Sequence, residues 1–95
     1  MHFVIHAMDK KDGLRTWAKF YRAHRVHLDE AGIHGVDVVT AGPLVAEHGE
    51  TPVGSLFIVE AKDRAAVEAF TRSDPYQVNN VWERIEIHYY RKKRG

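Results

Sequence analysis

Two stretches of the 95-residue sequence are apolar without the alternation of a half-exposed strand: Phe-Val-Ile at 3–5 and Leu-Phe-Ile-Val at 56–59. Strands of this kind are covered on both faces of their sheet. The chain has two predicted helices, which cover one face. A chain of this length buries only about 60 to 65% of its unfolded surface when it folds alone. We therefore expect a homodimer, or a higher homo-oligomer, whose sheets pack face to face.

The predicted elements follow the order β-α-β-β-α-β. Hydrophobic periodicity and β-branched runs predict a strand at 2–8, a helix from Leu14, strands at 36–40 and 54–61, a helix at 64–71 and a strand at 82–90. Ala41-Gly42-Pro43 is expected to break the second strand before a weaker extended stretch at 44–47. This order is typical of the ferredoxin-like α+β fold, an antiparallel sheet with helices on one face, here as one domain spanning 1–95.

Residues that start and stop helices set the expected boundaries. Asp12 is the predicted N-cap of the first helix, and Gly32 or Gly35 its end. Asp63 is the predicted N-cap of the second helix, and Pro75 is expected to stop it.

A histidine lies on the apolar stripe of the first helix. Steps of three and four residues connect Leu14, Trp17, Tyr21, His24, Leu28 and Ala31 on one face. His24 should therefore point inward, where it needs a hydrogen-bond partner or a pocket. Asp74 is the candidate partner, because an aspartate before proline is biased away from helix and the two helices lie side by side in this fold.

Each of these two residues also has a structural interpretation. By itself, the stripe favours a hydrogen-bonded core histidine over a catalyst. Asp74 by itself favours a turn or capping residue. His27, three residues after His24, is close enough to share a metal ion, but no further ligand cluster accompanies the pair, so we predict no metal. His6 alternates with apolar residues on the first strand and is expected in the core or an interface, or else lining the pocket.

Charge and composition narrow the function classes. Fourteen Lys and Arg against thirteen Asp and Glu leave a formal net charge of +1, so we expect neither nucleic acid nor membrane as a partner. The basic run at 91–94 is predicted to be a solvated tail. The absence of cysteine excludes disulfides and thiolate chemistry, and the first residues do not resemble a signal peptide, which favours a cytoplasmic protein. Phosphate loops, nucleophile elbows and nucleotide fingerprints are missing too, so we predict no cofactor.

An ordered set of short motifs resembles the YciI-like (YCII-related) proteins. The set comprises Arg-Ala-His at 22–24, Thr-Ala-Gly-Pro at 40–43, Gly-Ser at 54–55 and Asp-Pro-Tyr at 74–76. Each motif is common alone, but together they span nearly the whole chain. The resemblance implies a ferredoxin-like, dimeric α+β barrel. Arg25, Asn79-Asn80 and Trp82 depart from the family pattern, which bears on the shape of the pocket and hence on the substrate.

The resemblance also implies an active site built around His24 and Asp74, with Ser55 on the facing strand as a weaker candidate. One characterised branch of the family is a dehydrochlorinase acting on a chlorinated hydroxyhydroquinone in aromatic degradation. Related dimeric barrels include muconolactone isomerases.

The chemistry of such a pair is proton transfer. A carboxylate bonded to one imidazole nitrogen fixes the tautomer and stabilises the imidazolium, which suits a general base or acid. Ser55 could bind a substrate oxygen, and Tyr76 or Trp82 could stack on an aromatic ring. We predict a cofactor-free lyase or isomerase, including dehydrochlorinases, acting on a small cyclic or aromatic molecule. Two alternatives are a ligand-binding or regulatory module without catalysis, and an interaction domain without a pocket.

Overall fold

The computed structural model describes residues 1–95 and contains one four-stranded sheet. In chain order the elements are β1 (His2–Asp9), α1 (Leu14–Asp29), a 3₁₀ turn (Ala31–His34), β2 (Val36–Val45), β3 (Pro52–Ala61), α2 (Arg64–Ser73), α3 (Pro75–Val78) and β4 (Trp82–Tyr90). The strands lie in the order β2-β3-β1-β4, and every neighbouring pair is antiparallel. The predicted ferredoxin-like α+β fold is confirmed, with a short third helix added.

The core lies between the helices and one face of the sheet. On β1, Phe3, Ile5 and Ala7 are completely buried and alternate with partly exposed residues. Val67 and Phe70 of α2 belong to the same buried cluster. The two-residue period of the strand thus selects which side chains face the helices.

The other face of the sheet carries apolar side chains that no helix of this chain buries. Val4 on β1 is paired with Ile58 on β3, and both remain partly exposed, as does Leu56. This part of the second face is apolar and lacks a cover within the chain, as the two continuous apolar stretches predict, whereas β4 places polar side chains such as Glu86 and His88 on the same face.

The predicted break in the second strand is wrong. β2 continues through Gly42 and Pro43, which pair with Leu56 and Ser55 of β3. A proline is compatible with this position because β2 is an edge strand, where a missing N–H costs no ladder hydrogen bond when it faces away from the sheet. The register shifts between Val38 and Thr40, so the strand is irregular rather than interrupted.

The ends of α1 also differ from the predictions. Gly13, rather than Asp12, occupies the N-cap position, and no side chain caps the helix there. A Cβ atom at Gly13 would lie 3.1 Å from the Lys10 carbonyl oxygen, so close packing of the backbone favours glycine. The helix ends at Asp29 and the 3₁₀ turn continues to Gly35, whose φ of 74° is the left-handed conformation that ends the helical segment.

The junction between α2 and α3 depends on one aspartate. Asp63 caps α2 as predicted, accepting a hydrogen bond from the Ala66 N–H. At the other end, Asp74 adopts an extended conformation that ends α2 and serves as the N-cap of α3. Pro75 follows as the first residue of α3, so it starts a new helix as well as ending the previous one. None of the helices is long and apolar enough to cross a membrane.

Candidate active site

His24 is the only buried residue of α1, with 5% of its surface exposed. Its neighbours on the predicted stripe do not form a continuous core face. Leu14 is 50% exposed and Tyr21 is 41% exposed. The reason is that Trp17, Tyr21 and Leu28 line a cavity instead of packing fully against the sheet. The stripe is therefore interior only in part, and the inward position of His24 is confirmed.

The Nδ1 atom of His24 lies 2.9 Å from both carboxylate oxygens of Asp74, a residue fifty positions later and 1% exposed. The predicted contact is confirmed. Because a carboxylate only accepts hydrogen bonds, Nδ1–H is the donor and the neutral imidazole carries its free lone pair on Nε2. Asp74 also accepts a bond from the Tyr76 N–H at 2.9 Å. The capping role at α3 and the contact with the imidazole thus use the same carboxylate.

Aromatic rings surround the imidazole. Tyr76 stacks on His24 with ring centroids 4.1 Å apart and planes 12° apart. Phe57 of β3 packs at 5.6 Å. These contacts and the hydrogen bond to Asp74 together restrict rotation of the imidazole. Burial, with a further contribution from the charges of Asp74 and Asp9, raises the pKa of Tyr76, so its phenol stays protonated at neutral pH.

The cavity beside His24 has a volume of about 770 Å³ and lies between α1 and the strands β2 and β3. Its size is within the range of small-molecule sites. The lining consists of Trp17, Tyr21, His24, Arg25, Leu28, Asp29, Ala31, Gly32, Val36, Asp37, Val38, Ala41, Gly42, Pro43, Ser55, Phe57 and Tyr76. Both apolar rings and charged groups contribute, and Arg25 donates a hydrogen bond to the Tyr21 hydroxyl at 2.9 Å.

The cavity brings together four of the five predicted site residues. His24, Ser55 and Tyr76 line it, and Asp74 lies behind His24. Trp82 does not line it. Trp82 is 4% exposed and packs edge-on to the Tyr76 ring, so the predicted stacking of Trp82 on a ligand is not supported by the geometry.

Two further lining residues lie on the predicted apolar stripe of α1. Trp17 and Tyr21 lie seven and three residues before His24, on the same face of α1, which predicts that all three meet the same space. Gly42 and Pro43 were missed because the predicted break removed them from the sheet. Phe57 could be placed only once the register of β3 was known.

The other histidines of interest are engaged elsewhere. The Nε2 atom of His27 lies 2.8 Å from the Phe70 carbonyl oxygen, and its ring stacks on Phe70. Since a carbonyl only accepts, Nε2–H donates and this nitrogen is occupied. His6 lies on the open face of the sheet, 3.5 Å from Glu86, and does not line the cavity. The structure contains no group of three or more potential metal ligands.

Comparison with known proteins identifies the family. Residues 1–91 match the model of the YCII-related domain. The chain belongs to the YCII-related family. This confirms the resemblance carried by the motifs at 22–24, 40–43, 54–55 and 74–76. No curated protein matches the sequence significantly.

Solved structures confirm the fold of this YCII-related domain. One is the 5-chloro-2-hydroxyhydroquinone dehydrochlorinase TftG from Burkholderia phenoliruptrix, in complex with 2,5-dihydroxybenzoquinone. It is 24% identical, has a TM-score of 0.87, and the match covers 98% of this chain and 96% of that one. A structure of an antibiotic biosynthesis monooxygenase is 16% identical with a TM-score of 0.53, covering 97% of this chain and 100% of the other. The shared architecture is the ferredoxin-like α+β fold, an antiparallel sheet with helices on one face.

Proposed function

We propose that the protein is a cofactor-free acid-base enzyme of the lyase or isomerase type, acting on a small cyclic or aromatic molecule. The observation that carries the proposal is the buried His24–Asp74 pair on the wall of a cavity. A core histidine needs only a hydrogen bond, whereas this one also borders a space of ligand size. That combination favours proton transfer over a purely structural role.

In the proposed reaction, His24 transfers the proton and Asp74 orients it. Nε2 takes a proton from a substrate hydroxyl or from a carbon next to a carbonyl, and Asp74 stabilises the imidazolium that results. The electron pair left on the substrate forms a new double bond. In an elimination, the leaving group departs with its bonding pair, as chloride in a dehydrochlorination. In an isomerisation, His24 returns the proton to a different atom.

Other residues of the cavity have supporting roles in this proposal. Ser55 lies on β3 and can donate a hydrogen bond to a substrate oxygen. Trp17 and Tyr21 offer aromatic surface for a planar ring, the role expected of Trp82 from the sequence. Tyr76 holds the imidazole by stacking, so any contact of Tyr76 with a substrate is secondary.

The substrate class proposed is hydroxylated quinones and hydroquinones, including chlorinated ones. Its support is the similarity to TftG, a dehydrochlorinase of 5-chloro-2-hydroxyhydroquinone that was solved with 2,5-dihydroxybenzoquinone. A cavity lined by aromatic rings and a few hydrogen-bonding groups suits such molecules.

The experiment is an anaerobic chloride-release assay with 5-chloro-2-hydroxyhydroquinone, together with calorimetric titration of 2,5-dihydroxybenzoquinone. We expect His24→Gln and Asp74→Asn to lower turnover by about 10² to 10⁴-fold. The matched control is His27→Gln, on the same helix but outside the cavity, which should retain turnover. If His24→Gln turns over substrate like the unchanged protein, the dyad has no catalytic role. Binding of the quinone without chloride release would instead indicate a ligand-binding module.

We also propose that the protein is a homodimer joined through the open face of the sheet. Val4, Leu56 and Ile58 supply an apolar surface there, and its burial would add to a small core. Ile58→Glu would place a charge in that interface and should convert the dimer into a monomer. Sedimentation equilibrium measures this directly, since one chain has a mass of 10.9 kDa. A monomeric unchanged protein at micromolar concentration would contradict the proposal.

A further inference from the structure

Four buried side-chain polar atoms neither donate nor accept a hydrogen bond within the chain, and all four belong to three residues. They are the two carboxylate oxygens of Asp9, the hydroxyl of Tyr76 and the Nε1 atom of Trp82. We call these residues the Asp9 cluster. Unpaired buried polar groups are rare in folded proteins, so their confinement to one cluster needs an explanation.

The three residues come from different elements and converge at one end of the sheet. Asp9 is the last residue of β1 and is the ladder partner of Trp82, the first residue of β4, at a point where the register shifts. Tyr76 of α3 packs edge-on to Trp82, with ring centroids 5.8 Å apart. The negative charge of Asp9 contributes to raising the pKa of Tyr76, which is consistent with the proximity of the two groups.

The hydrogen-bonding chemistry of the cluster is complementary, although its members do not bond to one another. A carboxylate only accepts, an indole N–H only donates, and a phenol does both. One molecule that can donate twice and accept at least once would therefore satisfy all three residues. A water molecule has this capacity, and buried waters typically make about three hydrogen bonds to polar groups that otherwise lack partners.

We propose that the Asp9 cluster is a binding site for one buried water molecule that links Asp9, Tyr76 and Trp82. The water donates to the Asp9 carboxylate, accepts from the Trp82 indole N–H and exchanges a hydrogen bond with the Tyr76 hydroxyl. Because Tyr76 stacks on His24, this water anchors the ring that supports the imidazole. Asp9 is thus a positioning residue, acting through Tyr76. The proposal does not depend on His24 being catalytic.

The site is sensitive to pH because its carboxylate titrates close to neutrality. Burial raises the pKa of Asp9 from 3.8 to about 6, and no charged neighbour contributes to the shift. The titratable groups around Tyr76 are Asp9, Asp74 and Tyr21, with His24 stacked on its ring. Protonation of Asp9 replaces one acceptor by a donor, so the orientation of the water and the bond at Trp82 should change with it.

The test uses the unchanged protein first. The ¹³C signal of the Asp9 carboxyl group and the ¹⁵N–¹H signals of the two indoles are followed from about pH 4 to about pH 8. The indoles are those of Trp17 and Trp82, the only tryptophans in the chain. We expect the Trp82 signal to move together with the Asp9 carboxyl signal, with a midpoint near pH 6. The Trp17 signal is the internal control and should not follow Asp9.

Two variants test whether the titration of Asp9 causes the pH-dependent shift of the Trp82 signal. Asp9→Asn should abolish the titration of the Trp82 signal, whereas His24→Gln should retain it. If Asp9→Asn does not fold, Tyr76→Phe serves instead. It removes one partner of the water, so the Asp9 midpoint should shift while the aromatic ring is kept. A Trp82 titration that disappears in His24→Gln and persists in Asp9→Asn would overturn the proposal.

A high-resolution crystal structure at neutral pH tests the water itself. We expect one ordered water about 2.7 to 3.2 Å from an Asp9 oxygen, the Tyr76 hydroxyl and Trp82 Nε1. A direct hydrogen bond between Asp9 and Tyr76, with no water between them, would refute the site. Neither the NMR titration nor the crystal structure measures turnover. A negative result in either would not contradict the proposed enzymatic function, and an absence of turnover would not contradict the water site.

Discussion

Two aspartates lie beside Tyr76, and their environments differ sharply. Asp74 is deeply buried, yet its carboxylate accepts hydrogen bonds from His24 Nδ1 and from the Tyr76 backbone. Asp9 also has inaccessible oxygens, but no hydrogen bond within the chain reaches them. The carboxylate of Asp74 therefore has hydrogen-bond partners within the chain, whereas that of Asp9 has none there. Burial alone therefore does not decide whether a carboxylate has hydrogen-bond partners within the chain.

The largest expected effect is the loss of the paired carboxylate. Asp74→Ala removes the hydrogen-bond partner of a buried histidine and the N-cap of α3, so we expect a loss of about 2 to 4 kcal/mol in the free energy of unfolding. Urea denaturation at neutral pH measures it. Asp63→Ala is the matched control, because Asp63 caps α2 at an exposed position and should cost about 1 kcal/mol. Equal losses in both variants would mean that the contact with His24 contributes little.

The second prediction is a gain, rather than a loss, in the free energy of unfolding. The pKa of Asp9 is about 6 when folded and near 3.8 when unfolded, so its charged form is disfavoured by folding. The penalty appears as pH rises from about 4 to about 6 and persists above that. Asp9→Asn should therefore stabilise the protein at pH 8, by about 1 kcal/mol after allowance for solvent screening, and have little effect near pH 4.

Thermal unfolding of the Asp9→Asn variant and the unchanged protein across this pH range provides the measurement. Asp37→Asn, a change of the same kind at an exposed position, controls for the loss of one negative charge. If Asp9→Asn destabilises at pH 8 as strongly as Asp74→Ala, the partners of Asp9 stabilise its anion more than burial disfavours it, and the contrast between the two aspartates fails.

The smallest expected change in the free energy of unfolding comes from removing the Tyr76 hydroxyl. Tyr76→Phe keeps the ring that stacks on His24 and removes only the hydroxyl, which forms no hydrogen bond within the chain. We expect a change of about 1 kcal/mol or less in unfolding free energy. The His24–Asp74 bond should persist, and the Nδ1–H proton resonance of His24 can report it. Loss of that resonance in Tyr76→Phe would show that the two carboxylates are coupled through the hydroxyl.

Local patterns in the sequence determined most of the architecture. The order of strands and helices, the limits of β4 and the cap at Asp63 follow from hydrophobic periodicity and from the hydrogen-bonding capacity of single residues. Where these local rules competed with tertiary context, they failed. Pro43 is predicted to break the strand but lies on an edge strand, and Asp12 is predicted to cap α1 but the N-cap position falls one residue later, at Gly13.

The site required the tertiary structure. His24 could be singled out because its position on an apolar stripe is a local property, and Asp74 could be suggested as its partner. The structure decided that Tyr76 stacks on the imidazole, that Trp82 does not line the cavity and that Asp9 belongs to the same cluster as Tyr76 and Trp82. These outcomes depend on which distant side chains meet, and strand register and helix packing set such contacts rather than any pattern along the chain.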